Sequence, residues 1–118
     1  MVYGQGILID AQKLSGTLTE PEYLLQRFKT LRQTGPEGIS KIIETHQLDA
    51  IISPGISDAS PISGYPSITV PLGYESDNMP FGLTIIGLPY SEPQLIEIGY
   101  AFEQITKARK LPPIEFTE

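Results

Sequence analysis

Three hydroxyls crowd the stretch IISPGISDASP, residues 51–61, where Ser53, Ser57 and Ser60 stand among two prolines, a glycine and an aspartate. Within it, Gly55-Ile56-Ser57-Asp58-Ala59 falls one residue short of the G-x-S-x-G elbow, in which a serine on a strained strand-to-helix turn presents its oxygen to a carbonyl. That chemistry also needs a base for the hydroxyl proton and donors for the oxyanion. Asp49–Ser53 reads as a strand leading into the turn. Pro54 and Pro61 then bracket Ser57, and no helical spacing follows Ala59, so the context is that of an irregular strand exit rather than an elbow.

The candidate bases do not rescue the serine. His46 is the one histidine, and a whole strand separates it from the loop; it falls at the apolar edge of a helix C-terminus, where a capping or half-buried role suits it better than catalysis. The lysines fall in helices or at helix ends, without the Gly/Ser-rich turn that would bring one to a hydroxyl. A paired-carboxylate mechanism is no better supported, since Asp49, Asp58, Glu75 and Asp77 sit in loops or at strand ends without an apolar pocket or paired spacing. They read as solvated acids.

Composition removes further classes. With no cysteine, disulfides, thiolate nucleophiles and Cys-containing zinc sites are all excluded, and a single histidine builds no His-rich metal site. No cofactor is expected. Eight Lys and Arg against fourteen Asp and Glu leave a net charge of −6 and no basic stripe, which argues against a nucleic-acid partner. No apolar run approaches the ~20 residues needed to cross a bilayer, and no leader pattern opens the sequence, so no membrane association and a cytoplasmic location are expected. At 118 residues the chain is one domain or a piece of one. Its first residues, MVYGQGILIDAQKL, pass at once into helical spacing through Tyr3, Ile7, Ala11 and Leu14, as the middle of a longer fold would.

The elements that position the loop follow from punctuation and period. Thr19-Glu20-Pro21-Glu22, Thr34-Gly35-Pro36-Glu37 and Ser91-Glu92-Pro93-Gln94 share one pattern, in which a hydroxyl can cap the first-turn amides and Pro has no donor to waste; each predicts a helix start. Helices are expected over about 4–15, 20–33, 37–46 and 92–109. Leu24, Phe28 and Leu31 form the apolar stripe of the second, and Leu95, Ile98, Phe102 and Ile105 that of the last, with Lys107, Arg109 and Lys110 at its end as the helix dipole prefers and Leu111-Pro112-Pro113 as its stop. Strands are expected over about 49–53, 67–71 and 81–88. Pro71 should close the second. FGLTIIGL is apolar on both faces, so the third should be central and covered on both sides, with Gly82 and Gly87 allowing close approach. The fold class is therefore α/β, a small mixed sheet of about three strands flanked by about four helices, with an edge left under-covered.

From Gly64 the residues take on a family pattern. Gly64-Tyr65-Pro66-Ser67-Ile68-Thr69-Val70-Pro71-Leu72-Gly73 is followed, after a polar turn, by Met79-Pro80-Phe81-Gly82-Leu83-Thr84-Ile85-Ile86-Gly87 and by Ala101-Phe102-Glu103-Gln104-Ile105-Thr106. This resembles the C-terminal part of the amidase signature family, and Leu18-Thr19, Glu22-Tyr23 and Ser53-Pro54 extend the resemblance over essentially the whole chain. It implies the C-terminal segment of a larger amidase fold, residues 1–118. The family cleaves amide bonds with a serine, a second serine in an unusual cis peptide and a lysine, the serines lying in a Gly/Ser-rich segment upstream of the region matched here. No such segment is present, so no catalytic residue is carried over, and Ser53, Ser57, Ser60, Ser63 and Ser67 are not promoted in its place. The same resemblance implies that Pro54, Gly55, Ile56, Ser57 and Tyr65 belong to a loop near the substrate entrance. An amidase-type hydrolase segment, inactive alone, is the leading expectation; its partners would be the missing amidase core or a second copy of itself, with a small amide as substrate of the completed enzyme. The alternatives are a non-catalytic interaction or oligomerisation module, and one component of a multisubunit aminoacyl-tRNA amidotransferase.

Overall fold

The structure, a computed structural model, describes residues 4–76 and 78–111. In chain order it consists of α1 (Gly6–Gln12), α2 (Pro21–Thr34), a π-helical segment (Gly35–Ser40), α3 (Lys41–His46), β1 (Ile51–Pro54), the short α4 (Ala59–Ser63), β2 (Ser67–Tyr74), β3 (Pro80–Ile86) and α5 (Glu92–Thr106). The sheet order is β1-β3-β2, so the strand that is apolar on both faces is the central one. Both pairings are antiparallel, which makes the sheet antiparallel throughout rather than mixed.

Two clusters bury the two faces of β3. Alternation sends Leu83 and Ile85 to one side, where they meet Val70 of β2 and Leu95 of α5, with Ile68, Ile98 and Phe102 packed around them. Ile86 points to the other side and joins Ile39 and Ile43 from the π segment and α3, with Ile51, Tyr65 and Leu88 against them. Gly87 lets α5 approach closely, and Gly82 does the same for β2. A Cβ at Gly87 would collide with Ser91 Oγ and lie 3.1 Å from Leu95 Cδ2, and one at Gly82 would lie 2.8 Å from Thr69 Cγ2.

Pro71 does not close β2. The Gly55 amide donates to the Gly82 carbonyl at 2.8 Å and the Gly87 amide to the Pro66 carbonyl at 3.0 Å, which sets the phase of both ladders. In that phase residue 71, opposite Gly82, turns its nitrogen away from β3 toward the open edge, where a missing donor costs no ladder bond. The strand therefore continues through an irregularity between Pro71 and Gly73 to Tyr74. Pro54, opposite Leu83, occupies the equivalent outward position on β1.

The helix boundaries also differ from the sequence expectation. Thr34-Gly35-Pro36-Glu37 is not a new start. Helical structure runs from Pro21 to His46, and it widens into the π segment where Pro36 supplies no amide for the i−4 carbonyl. No side-chain cap is made at the three punctuated sites: Thr34 Oγ1 donates to the Thr30 carbonyl, Ser91 Oγ to the Leu88 carbonyl, and Thr19 Oγ1 meets Thr17 Oγ1. Helix α5 ends at Thr106 because Lys107 adopts the left-handed conformation (φ 45°), leaving the basic trio beyond the helix rather than in its last turn. Tyr3, Asp77, Pro112 and Pro113 lie outside the described residues. None of the helices is long and apolar enough to cross a membrane among the described residues.

Candidate functional site

Beside the loop that follows β1, a groove of about 500 Å³ opens along the sheet face turned away from α5. Its floor is Ser67 and Thr69 of β2 with Thr84 of β3, and its rim includes Gly55, Ile56, Ser57 and Phe81, the Phe81 ring lying close to Gly55. The period of the strands dictates this: Ile68, Val70, Leu83 and Ile85 face α5, so the intervening hydroxyl residues must face the groove.

Gly55 makes the turn out of β1 with φ +71°, a conformation that a side chain would strain. Its carbonyl accepts a hydrogen bond from Thr84 Oγ1 at 2.6 Å, and Thr84 Oγ1 lies 3.0 Å from Thr69 Oγ1. Thr84 has one hydroxyl proton and spends it on Gly55, so Thr69 must be the donor to Thr84. This orders the chain Thr69 to Thr84 to Gly55, pins the loop to the sheet, and leaves the Thr69 oxygen able to accept from the groove. Thr84 is only 5% exposed, so the middle of the tie is buried while its Thr69 end is exposed.

Ser60 and Ser63 spend their protons on backbone carbonyls, whereas Ser57 only accepts. Ser57 Oγ accepts from the Ala59 amide at 3.4 Å, and the strained positive φ falls on Gly55, not on the serine. Ser60 is buried, donates to the Tyr65 carbonyl at 2.5 Å and meets Ser67 Oγ at 2.9 Å. Ser63 Oγ donates to the Ser60 carbonyl at 3.1 Å and accepts from the Tyr65 amide at 3.2 Å. A short helix, α4, does follow the loop, which sequence spacing missed because five residues are too few to show a 3.6-residue period. Ser53 sits in β1 opposite Thr84.

Of the five residues expected near a substrate entrance, Gly55, Ile56 and Ser57 line the groove, Ile56 almost fully exposed. Pro54 is exposed at the end of β1 and is not part of the lining. Tyr65 is elsewhere. Its ring rests on Gly35 and its hydroxyl is 2.8 Å from Ser40 Oγ, so it joins the π segment to the second cluster. Ser67, Thr69, Thr84 and Phe81 are the groove residues that loop-centred reading overlooked; alternation along the strands was the signal that could have found Thr69 and Thr84.

Among the described residues, no general base reaches these hydroxyls. His46 is exposed at the end of α3, and Asp49, Asp58 and Glu75 are exposed as solvated acids would be. Asp49 Oδ1 accepts from Gln94 Nε2 at 3.1 Å. Among the described residues no group of three or more His, Cys, Asp or Glu side chains is placed to hold a metal ion. A second hollow of about 700 Å³ adjoins the groove across Thr69, Phe81 and Gly82 and is bounded by Tyr74, Arg109 and Lys110. There Tyr74 Oη accepts from the Lys110 amide at 2.7 Å and donates to the Lys110 carbonyl at 3.1 Å, tying the β2–β3 hairpin to the segment after α5.

The same fold recurs in known proteins. No family model matches the chain. A probable amidase of Arabidopsis thaliana is 44% identical over 112 residues, which is 93% of this chain and 21% of that protein. The native peptide amidase of Stenotrophomonas maltophilia superposes with a TM-score of 0.85 at 39% identity, over 94% of this chain and 25% of its own. The chain belongs to the amidase signature family. Its match is to the C-terminal portion of amidase proteins, and it spans about a quarter or less of the length of these relatives. The A-type component of the glutamyl-tRNA(Gln) amidotransferase of Thermodesulfovibrio yellowstonii is more distant, 35% identical over 69% of this chain and 17% of its own length. The family stretches Gly64–Gly73 and Met79–Gly87 hold all of β2 except Tyr74 and all of β3, the two strands that floor the groove.

Proposed function

We propose that this chain forms one wall of the substrate pocket of an amidase-type hydrolase and that it has no amide hydrolysis of its own. The observation that carries the reading is a groove whose described lining offers no base for Ser57, with Ser60 and Ser63 donating to backbone carbonyls, within a chain that corresponds to a quarter of a peptide amidase. The Ser-Ser-Lys machinery of the family belongs to the portion outside these residues. In the completed enzyme the Thr69 oxygen and Ser67 hydroxyl would meet the polar atoms of an amide substrate, while Ile56 and Phe81 would meet its apolar part. A small amide is the substrate class, since the groove joins a hydroxyl floor to an apolar rim and offers no cation for a phosphate.

A fluorophosphonate reagent tests this on the isolated chain. It modifies serines activated by a base, and the expected result is an unchanged intact mass of 13.0 kDa after prolonged exposure. A stoichiometric adduct that disappears in Ser57→Ala would overturn the reading.

A non-catalytic oligomerisation module is the second reading, favoured by the two sheet edges that β1 and β2 leave open. Against it, Pro54 and Pro71 remove outward donors from both edges, which blunts edge-to-edge pairing. A concentration-dependent dimer in sedimentation, unaffected by changes outside β1 and β2, would favour it. The amidotransferase relative raises a multisubunit setting, for which copurification with a glutaminase-type partner is the test.

A further inference from the structure

The hollow of about 700 Å³ beside the β2–β3 hairpin has no part in the groove's chemistry, yet it is composed as ligand pockets are. An irregularity in β2 helps to shape it. Pro71 pairs with Gly82 and Gly73 with Phe81, so Leu72 is an extra residue, and an extra residue bends its strand. Helix α5 ends where Lys107 turns left-handed, and the chain beyond it reaches the hairpin, where Tyr74 Oη holds both the amide and the carbonyl of Lys110. Val70, Pro71, Pro80, Phe81 and Leu111 make the walls largely apolar, and Arg109 and Lys110, neighbours in the chain, are part of the same lining. Among the described residues no carboxylate belongs to that lining.

We infer that this hollow binds an amphipathic carboxylate, a single anionic head on an apolar body, with the head at Arg109 and Lys110 and the body against Pro80 and Phe81. Charge supports it first. The chain carries a net charge of −6, yet both charged residues of the lining are cations. The ion pairs described are Lys13 with Asp10 and Arg32 with Glu37, so neither cation is paired with a carboxylate among the described residues. Geometry supports it second. The Lys110 ammonium lies 5.4 Å from the centroid of the Tyr74 ring, a contact that orients the cation without neutralising it, and a guanidinium fork matches the two oxygens of a carboxylate. Order supports it third. The paired hydrogen bonds of Tyr74 fasten the Lys110 backbone before any ligand arrives, which lowers the entropy lost on binding. A compact anion such as inorganic phosphate would gain nothing from the apolar walls, and a neutral apolar molecule would leave the two cations unanswered. The inference stands apart from the amidase reading and concerns binding, not turnover.

Amide NMR of the 118-residue chain, titrated with octanoate below its micelle-forming concentration, tests the inference. Saturable shifts are expected at Tyr74, Phe81, Gly82 and Lys110. Octanamide, which keeps the body and loses the charge, should bind about fivefold more weakly, the modest factor that exposed cations allow. Hexanoate, shorter by two methylenes, should bind about tenfold more weakly, and inorganic phosphate should leave these amides unmoved. Arg109→Gln with Lys110→Gln should remove the preference for octanoate over octanamide. Its melt should match that of the wild type, because the Tyr74 tie runs to the Lys110 backbone and survives loss of the ammonium. Arg27→Gln with Lys29→Gln, which deletes two exposed cations of α2, should leave octanoate binding unchanged. The inference is overturned if octanoate binds no better than octanamide, if the Arg109 and Lys110 variant keeps the preference, if the α2 variant loses it equally, or if the shifts fail to saturate or fall outside the hollow. Should the Arg109 and Lys110 variant melt lower, the comparison of octanoate with octanamide on the wild type decides alone. Amide release is not read in this experiment, so its failure leaves the proposed function standing, and turnover by the free chain would leave the carboxylate site standing.

Discussion

Ile85 and Phe28 are both large apolar residues on well-patterned elements, and the chain treats them oppositely. Ile85 is 1% exposed, enclosed by Val70, Leu83 and Leu95 between β2, β3 and α5. Phe28 is 69% exposed on a helix with no buried residue. The difference lies in what each element finds within the same chain. β3 has a strand on each side and helical cover on both faces, whereas α2 meets chiefly the π segment and the short α4. Pattern alone therefore specifies that a face is suited to be covered, and only the structure specifies whether these residues cover it.

The sharpest way to break the comparison is truncation on both sides of it. Ile85→Ala should lower unfolding free energy by about 2–5 kcal/mol through a core cavity, and Phe28→Ala should stay within about 0.5 kcal/mol as surface changes do; urea unfolding of the free chain measures both. A loss at Phe28 equal to that at Ile85 would mean that this face of α2 is packed in solution. Next comes Gly87→Ala, whose methyl has to displace Ser91 and Leu95. Overpacking of this kind costs about 1–3 kcal/mol, and the melt should shift accordingly if α5 lies on β3 as closely as described.

Tyr65→Phe sharpens the assignment of that residue to the core rather than to the groove. It removes the hydroxyl from Ser40 and keeps the ring on Gly35, for an expected loss of about 0.5–1.5 kcal/mol. The smallest effect concerns the link between α1 and α2. The Ser15 hydroxyl donates to the Glu20 carboxylate, and with backbone hydrogen bonds this holds the Glu20 pKa below the usual carboxylate value. A depressed folded pKa means that the contribution is present above the ordinary carboxylate range and is lost as pH falls through the lowered value. An NMR titration of Glu20 should show its midpoint rising toward the ordinary value in Ser15→Ala.

Much of this architecture is written in short runs of residues. FGLTIIGL, apolar on both faces, marks β3 as central, and the polar turn between Tyr74 and Pro80 fits its antiparallel return from β2. Pro21 and Pro93 mark the first turns of α2 and α5 correctly. The punctuation misleads at Pro36, because a proline that follows a glycine can be absorbed by a wider π turn instead of ending the helix. It misleads at Pro71 as well, because whether a strand proline is tolerated depends on which edge its nitrogen faces, and that is fixed by pairing partners elsewhere in the chain. The groove was half legible. The loop residues Gly55 to Ser57 drew attention through their resemblance to a nucleophile turn, while Thr69 and Thr84 become a site only when β2 and β3 lie side by side. Tyr65, four residues before Thr69, enters the core instead because it packs with the π segment and α3.

The most direct test of the central claim is ammonia release from a peptide amide by the free chain, at protein concentrations high enough to detect very slow turnover. None above buffer is predicted, for the wild type and for Ser57→Ala alike. Release by the wild type that vanishes in Ser57→Ala would place the reaction within these residues and contradict the claim.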